Sequence, residues 1–136
     1  MDDFKDVKHA VGKQALLVED NEINAEIAML VLQDMGFKVD WVSNGAEAVE
    51  NFGISETGYY SLVVMDIMMP VMDGLEATKL IRRLDRDDAK SVPIVAITAN
   101  AFPEDKEASY QNGVTTFVTK PYGKQQLQQV IETLLQ

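Results

Sequence analysis

Two rhythms of hydrophobic and polar residues alternate along the chain. Short unbroken apolar runs, "ALLV" (15–18), "LVVM" (62–65) and "IVAI" (94–97), are rich in β-branched and aliphatic residues. "KVDWV" (38–42) and "TFVT" (116–119) are weaker runs of the same kind. Longer stretches with helical spacing lie between them. "NEINAEIAMLVLQDMG" opens on Asn21, a good N-cap, and closes on Gly36, a good residue to follow a helix. "GAEAVENFG" and "GLEATKLIRRLD" follow the second and third runs, and "PEDKEASYQNG" places Pro103 in a first turn and Gly113 at an end. "KQQLQQVIETLL" repeats Leu127, Val130, Ile131 and Leu134 on one face. Strands alternating with helices in this way predict an α/β fold, a parallel sheet with helices on both faces. Its central strands are expected to be continuously apolar, which is how the first, third and fourth runs read. Residues 1–13 are polar and unpatterned, and read as a linker or frayed terminus ahead of one domain over 14–136.

The apolar runs share an ending. "ALLV" runs into Glu19 and Asp20, "LVVM" into Asp66, "IVAI" into Thr98 and "TFVT" into Lys120. In open α/β sheets the carboxyl edge is where ligands bind. Any one polar residue there is explained by a strand end that must meet water, and Thr98 alone would be read so. Four strand ends with complementary chemistry are harder to explain that way. Glu19, Asp20 and Asp66 bring three carboxylates together, and like charges at such range repel unless a cation sits among them. Hard oxygen ligands with room for water suit Mg²⁺. Lys120 adds a point positive charge and Thr98 a hydroxyl. A divalent ion, an ammonium and a hydroxyl around one carboxylate suit a phosphoryl group under in-line attack by Asp66.

Composition narrows the alternatives. The chain has 136 residues, 46% hydrophobic and 25% charged, enough for one domain with a core. No apolar run of 18 residues suggests a membrane span, and "MDDFKDVKHA" is too polar and acidic for a signal peptide. The absence of cysteine excludes disulfides and fits a cytoplasmic location. A net charge of −10 without a basic patch speaks against nucleic acid. Lys79, Arg82, Arg83 and Arg86 read as a solvated helix face, Trp41 as packing, Met65 as core, Asp73 as a helix cap, Met69 with Pro70 as loop-shaping, and the single histidine, His9, as a linker residue. An Asp-nucleophile phosphatase of the haloacid-dehalogenase type is the main rival. Such enzymes carry a general-acid Asp two residues after the nucleophile, where this chain has Met68, which cannot move a proton.

"LLVEDNEIN", "VVMDIMMPVMDGLEAT", "PIVAITANA" and "FVTKPY" together resemble the signatures of the response-regulator receiver domain, and most of all receivers of hybrid sensor histidine kinases. The resemblance covers about residues 14–136. It implies a doubly wound, flavodoxin-like (βα)₅ fold with strand order 2-1-3-4-5. It implies that Asp66 is the phosphoacceptor, taking its phosphoryl group from a phosphohistidine. Asp20 and Asp66 would bind Mg²⁺ directly, Glu19 through water, and the Met68 carbonyl would be a further ligand. Lys120 would contact the phosphoryl group, Thr98 would move toward it, and Phe117 would follow as the aromatic switch. Phe117 has no hydroxyl, so no tyrosine OH reports the switch here. The resemblance also raises the expectation of a cis Lys120–Pro121 bond, with Lys120 in salt-bridge reach of Asp66. Such a domain catalyses only its own phosphorylation and dephosphorylation. Its setting is a hybrid kinase or, alternatively, a stand-alone relay regulator.

The helix starting at Asn21 supplies a partner expectation. Ala28, Val31 and Met35 form a stripe with Leu32 and Ile27 at its margins, enough to cover the sheet. Ile23 and Leu30 are left over, with Ile27 beside them. They read as an apolar strip next to the acidic pair, where a histidine kinase dimerisation domain or a histidine phosphotransfer protein docks. The competing reading is that a neighbouring helix covers them. No nucleic acid and no direct membrane contact are expected.

Overall fold

The apolar runs sort the strands by position. β1 (Gln14–Val18), β3 (Tyr60–Asp66) and β4 (Ile94–Thr98) fill the centre of a five-stranded sheet, and β2 (Lys38–Val42) and β5 (Thr116–Thr119) form its edges. The order is β2-β1-β3-β4-β5, with every pair parallel. The three central strands are buried almost throughout, whereas β2 and β5 are largely half-buried, so the weaker runs are the edge strands. This is a computed structural model, and it describes residues 11–68, 71–99 and 103–135. His9, Met69 and Pro70 lie outside the described residues.

Among the described residues six helices accompany the sheet: α1 (Glu22–Asp34), α2 (Gly45–Ile54), α3 (Gly74–Arg82), α4 (Asp87–Ser91), α5 (Pro103–Gln111) and α6 (Lys124–Leu135). Alternate residues of each strand feed opposite layers. Leu17, Leu62, Val64 and Ile97 pack against Ala28, Leu32, Leu127 and Ile131 of α1 and α6. Leu16, Val18, Val63 and Met65 pack against Phe52, Ala77, Ile81 and Ala89 of α2, α3 and α4. In α1, Ala25 joins the core stripe and Leu32 lies at its centre, fully buried, where the sequence placed it at the margin.

Side-chain caps set the helix starts. Asn21 Oδ1 accepts from the Asn24 N–H at 3.0 Å, Asn44 Oδ1 from Glu47 at 2.9 Å, and Asp73 Oδ1 from Glu76 at 2.9 Å. Gly36 ends α1 with φ +103°, the left-handed conformation that favours glycine. Gly74 serves another purpose. A Cβ there would collide with the Asp66 carbonyl oxygen and approach Ile67 Cα to 2.8 Å, so glycine lets α3 start against the end of β3.

The arginine-rich stretch differs from the expected solvated helix. α3 stops at Arg82, and a separate short helix, α4, follows. Arg83 is exposed, but Arg82 is drawn inward. It donates to the carbonyls of Gly113 (3.0 Å) and Ala89 (3.1 Å), which ties α3 to α4 and to the turn before β5. Arg86 pairs with Asp88 through two bonds of 2.7 and 2.9 Å, stacks over Phe52, and donates to the Phe52 and Ser55 carbonyls at 3.0 and 2.8 Å. Both guanidiniums donate to carbonyls at helix ends and in the turns that follow, where the helix ladder runs out.

The loop from β3 to α3 carries local strain. Val71 has φ +70°, a region that a β-branched residue adopts only at a cost, and its side chain is exposed. Val71→Asn should therefore raise stability by about 1 kcal/mol, because Asn tolerates this conformation and no packing is lost. Chemical denaturation of the two proteins measures it, and an unchanged or lower midpoint would refute the strain.

Candidate functional site

The carboxyl edge of the sheet gathers the residues that end the apolar runs. Asp66 is the last residue of β3, and Glu19 follows β1; each is only 2% exposed. Asp20 is exposed beside them. Oxygens of the three carboxylates all lie within 4.8 Å of one another. Thr98 ends β4 and is buried, and Lys120 follows β5. The Lys120 N–H donates to the Thr98 carbonyl at 2.8 Å, joining these two strand ends. Lys120 Nζ donates to Asp66 Oδ2 at 3.1 Å, the salt-bridge contact expected from the sequence. The Met68 N–H donates to Asp66 Oδ1 at 3.1 Å, so both oxygens of the buried carboxylate are engaged. The Lys120–Pro121 bond is cis.

Glu19 is the anomalous member. Its carboxyl is pushed up to about 7, chiefly by burial, and further by its hydrogen bond to Asp66 and the charge there. The Asn21 N–H, 3.1 Å from Oε2, and the charge of Lys120 pull the other way without prevailing. Below neutral pH the crowded pair thus relieves part of its repulsion by keeping a proton. The backbone of Glu19 is also held. Trp41 Nε1 donates to its carbonyl oxygen at 2.7 Å, and the Glu19 N–H donates to the Val42 carbonyl at 3.0 Å. Trp41, expected to serve in packing, is 40% exposed and also acts as a hydrogen-bond donor to the acidic loop. A lone Trp in an edge strand was the sequence signal, but its partner lies 22 residues away.

The remaining candidates fall around this centre. Phe117 lies on β5, half-buried, with Tyr110 edge-on at 5.8 Å and Lys106 Nζ 5.0 Å from the ring centroid. On α1, Ile23 and Leu30 are 69% and 48% exposed, so no neighbouring helix covers them among the described residues. Ile27 is half-buried and lines a groove of about 410 Å³ with Asn24, Lys120, Pro121 and Tyr122. Met68 is exposed at the rim. Tyr122 was not singled out in the sequence, although it closes the quoted "FVTKPY".

A family model of the response regulator receiver domain matches residues 15–132. Histidine kinase 5 of Arabidopsis thaliana is 33% identical over 154 aligned positions, covering 96% of this chain and 16% of that protein. Sensor histidine kinase GacS of Pseudomonas protegens is 39% identical over 119 positions, covering 87% of this chain and 13% of that protein. The chain thus spans under a fifth of the length of these relatives. Among solved structures, the receiver domain of sensor histidine kinase PA1611 from Pseudomonas aeruginosa, crystallised with a magnesium ion in its active-site cleft, superposes with a TM-score of 0.78 at 34% identity. That match covers 90% of this chain and 97% of the other. The chain belongs to the response regulator receiver domain family. It is a receiver domain of two-component phosphorelay signalling, related to the receivers of hybrid histidine kinases. Among the described residues no helix is long and apolar enough to cross a membrane.

The protonated Glu19 has a consequence for stability. Its folded-state value lies above the ordinary 4.5, so between about 4.5 and 7 the folded protein binds more protons than the unfolded chain. Stability of the metal-free protein should then fall as pH rises through that window, by on the order of 1–2 kcal/mol. Glu19→Gln, which mimics the protonated acid, should flatten most of this slope. Melting temperatures from pH 4.5 to 7.5 in EDTA measure it, and equal slopes in both proteins would refute the assignment.

Proposed function

We propose that Asp66 is the phosphoacceptor and that the edge described above is a Mg²⁺-dependent phosphotransfer site. The observation that carries this reading is the contact of Lys120 with Asp66 inside a cluster of three carboxylates drawn from the ends of two strands. The donor set fits a hard divalent cation: oxygen ligands only, two of them buried and one exposed, with room for water on the open side. Asp20 and Asp66 would hold the ion directly, Glu19 through water, and the Met68 carbonyl would complete the protein ligands. When bound, the ion offsets the carboxylate repulsion and the charge of the incoming phosphoryl oxygens.

The chain's own groups then have separate tasks. An Asp66 oxygen attacks phosphorus, and the P–N bond of the phosphohistidine breaks as the O–P bond forms. Lys120 holds Asp66 before transfer and neutralises phosphoryl charge after it. The Thr98 hydroxyl donates to the new phosphoryl oxygens, and Phe117 responds to its movement. The exposed Ile23 and Leu30, with Ile27 at the groove, form the docking strip for the donor, a histidine kinase dimerisation domain or a histidine phosphotransfer protein acting in the cytoplasm.

Acetyl phosphate with Mg²⁺ should add one phosphoryl group, seen by intact mass, and EDTA or Asp66→Asn should abolish it. Labelling of Asp66→Asn equal to wild type would sink the assignment. Asp20→Ala should weaken Mg²⁺ binding more than Glu19→Ala; the reverse order would mean that the direct ligand has been misassigned.

Docking is separable from chemistry by changing the donor. Ile23→Ala and Leu30→Ala should slow transfer from the phosphohistidine domain by about tenfold, since buried apolar anchors dominate such contacts. Labelling by acetyl phosphate should stay within about twofold of wild type. Equal slowing with both donors would show that these side chains serve the fold.

A further inference from the structure

Asp20 is the one exposed acid of the cluster, and the chain on both sides of it is fastened. Before it, the Glu19 N–H donates to the Val42 carbonyl at 3.0 Å, one bond past the last paired residues of β1 and β2, Val18 and Val42. After it, the Asn21 N–H donates to Glu19 Oε2 at 3.1 Å, and the Asn21 side chain caps α1. Between these anchors lies the peptide unit that joins Glu19 to Asp20. The unit is rigid, so whatever holds the Glu19 carbonyl also sets the place of the Asp20 Cα. In a continued parallel ladder the backbone of β2 would supply a donor to that carbonyl. By that point β2 has ended: the Ser43 N–H turns to Glu47 Oε1 at 2.9 Å, and Asn44 caps α2. Trp41 Nε1 supplies the donor instead, at 2.7 Å, the short end of the N–H···O range. The indole is 40% exposed, so burial alone does not account for it. Phenylalanine would suit an edge strand equally and offers no donor.

We propose that Trp41 is a positioning residue of the acidic site: its indole N–H fixes the Glu19–Asp20 peptide unit and thereby the direction from which Asp20 presents its carboxylate to a divalent cation. The inference rests on the phosphoacceptor reading, in which Asp20 is a direct ligand. The Asp20 side chain turns about its own bonds, so the backbone that carries it decides what it can reach. Trp41 touches neither the ion nor phosphorus. A donor that only satisfied a strand-end carbonyl would contribute to stability and leave metal affinity untouched, and the two roles are separable on that ground.

The test is Trp41→Phe in the full 136-residue chain, with Val39→Ala as its control. Val39 lies two positions earlier on the same face of β2, packs against the core, and pairs with Ala15, at the other end of β1 from the acids. Mg²⁺ affinity, measured by calorimetry, should fall about fivefold in Trp41→Phe, the worth of one hydrogen bond. Val39→Ala should melt at a lower temperature and keep wild-type Mg²⁺ affinity. Trp41 is the single tryptophan, so wild type gives one indole N–H signal in a ¹⁵N-edited NMR spectrum. Mg²⁺ should shift that signal and saturate it at the calorimetric midpoint. An indole signal unmoved by saturating Mg²⁺ overturns the inference, and this holds even where Trp41→Phe fails to fold. So does a loss of affinity shared by Val39→Ala, which would trace the effect to stability. Wild type that binds Mg²⁺ and labels at Asp66, with Trp41→Phe identical to it, overturns this inference alone. Wild type that does neither overturns the phosphoacceptor reading together with it.

Discussion

Three carboxylates held within 4.8 Å of one another are the constraint around which this domain is arranged. At an effective dielectric near 20, each like-charged pair at that range repels by roughly 3–4 kcal/mol. One ammonium, Lys120 at 3.1 Å from Asp66, can offset one such pair and leaves the rest. Part of the remainder is met by the raised proton affinity of Glu19 and by the Met68 and Asn21 N–H groups aimed at the acids. A divalent cation is the simplest species that would offset such a concentration of negative charge. The same argument explains why Asp66 ends an apolar strand. A carboxylate at a buried, preorganised position is costly to hold, and it responds strongly to any charge brought beside it.

The doubly wound connectivity makes such crowding possible. Every strand ends at the same edge, so four chain segments distant in sequence deliver Glu19, Asp66, Thr98 and Lys120 to one place. The approach is tight enough that backbone details matter. α1 begins two residues after Asp20, capped by Asn21, and α3 begins against the Asp66 carbonyl because Gly74 has no side chain to prevent it. On the far side of the sheet's helical layer, Arg82 and Arg86 tie loops whose carbonyls would otherwise be unmatched.

Much of this was legible in the sequence because the signals were local. Continuous apolar runs marked the central strands, broken ones the edge strands, and Asn21, Asp73 and Gly36 marked helix ends; each depends on residues within a turn or two. The polar residues that end the runs were readable for the same reason, and the chain order of Glu19–Asp20, Asp66, Thr98 and Lys120 gave their set. What escaped were the side chains whose partners are distant backbone carbonyls, and one short helix. Arg86 looks like a solvated helix residue until Ser55, 31 positions earlier, is placed beneath it. α4 escaped because its five residues are too few for a periodic pattern. Trp41 looked like packing because its acceptor is a backbone carbonyl, and a backbone carbonyl leaves no trace in residue identity.

Glu19 shows how these long-range contacts divide the work among the acids. Its backbone is pinned by Trp41 from β2 and by the Val42 carbonyl, and its side chain by the Asn21 N–H. Asp20, one residue on, is exposed. An exposed carboxylate is suited to direct ligation, since it loses little on exchanging water for a cation and can adjust to octahedral geometry. A buried and pinned carboxylate is suited to the opposite task, orienting water from a fixed direction. On the proposed reading, the adjacent acids are therefore unequal by construction, and the inequality is set in part by β2, an element that contributes no ligand of its own. The edge aromatic Trp41 thus does more than cover the sheet: its bond to the Glu19 carbonyl holds the backbone of the acidic pair from β2.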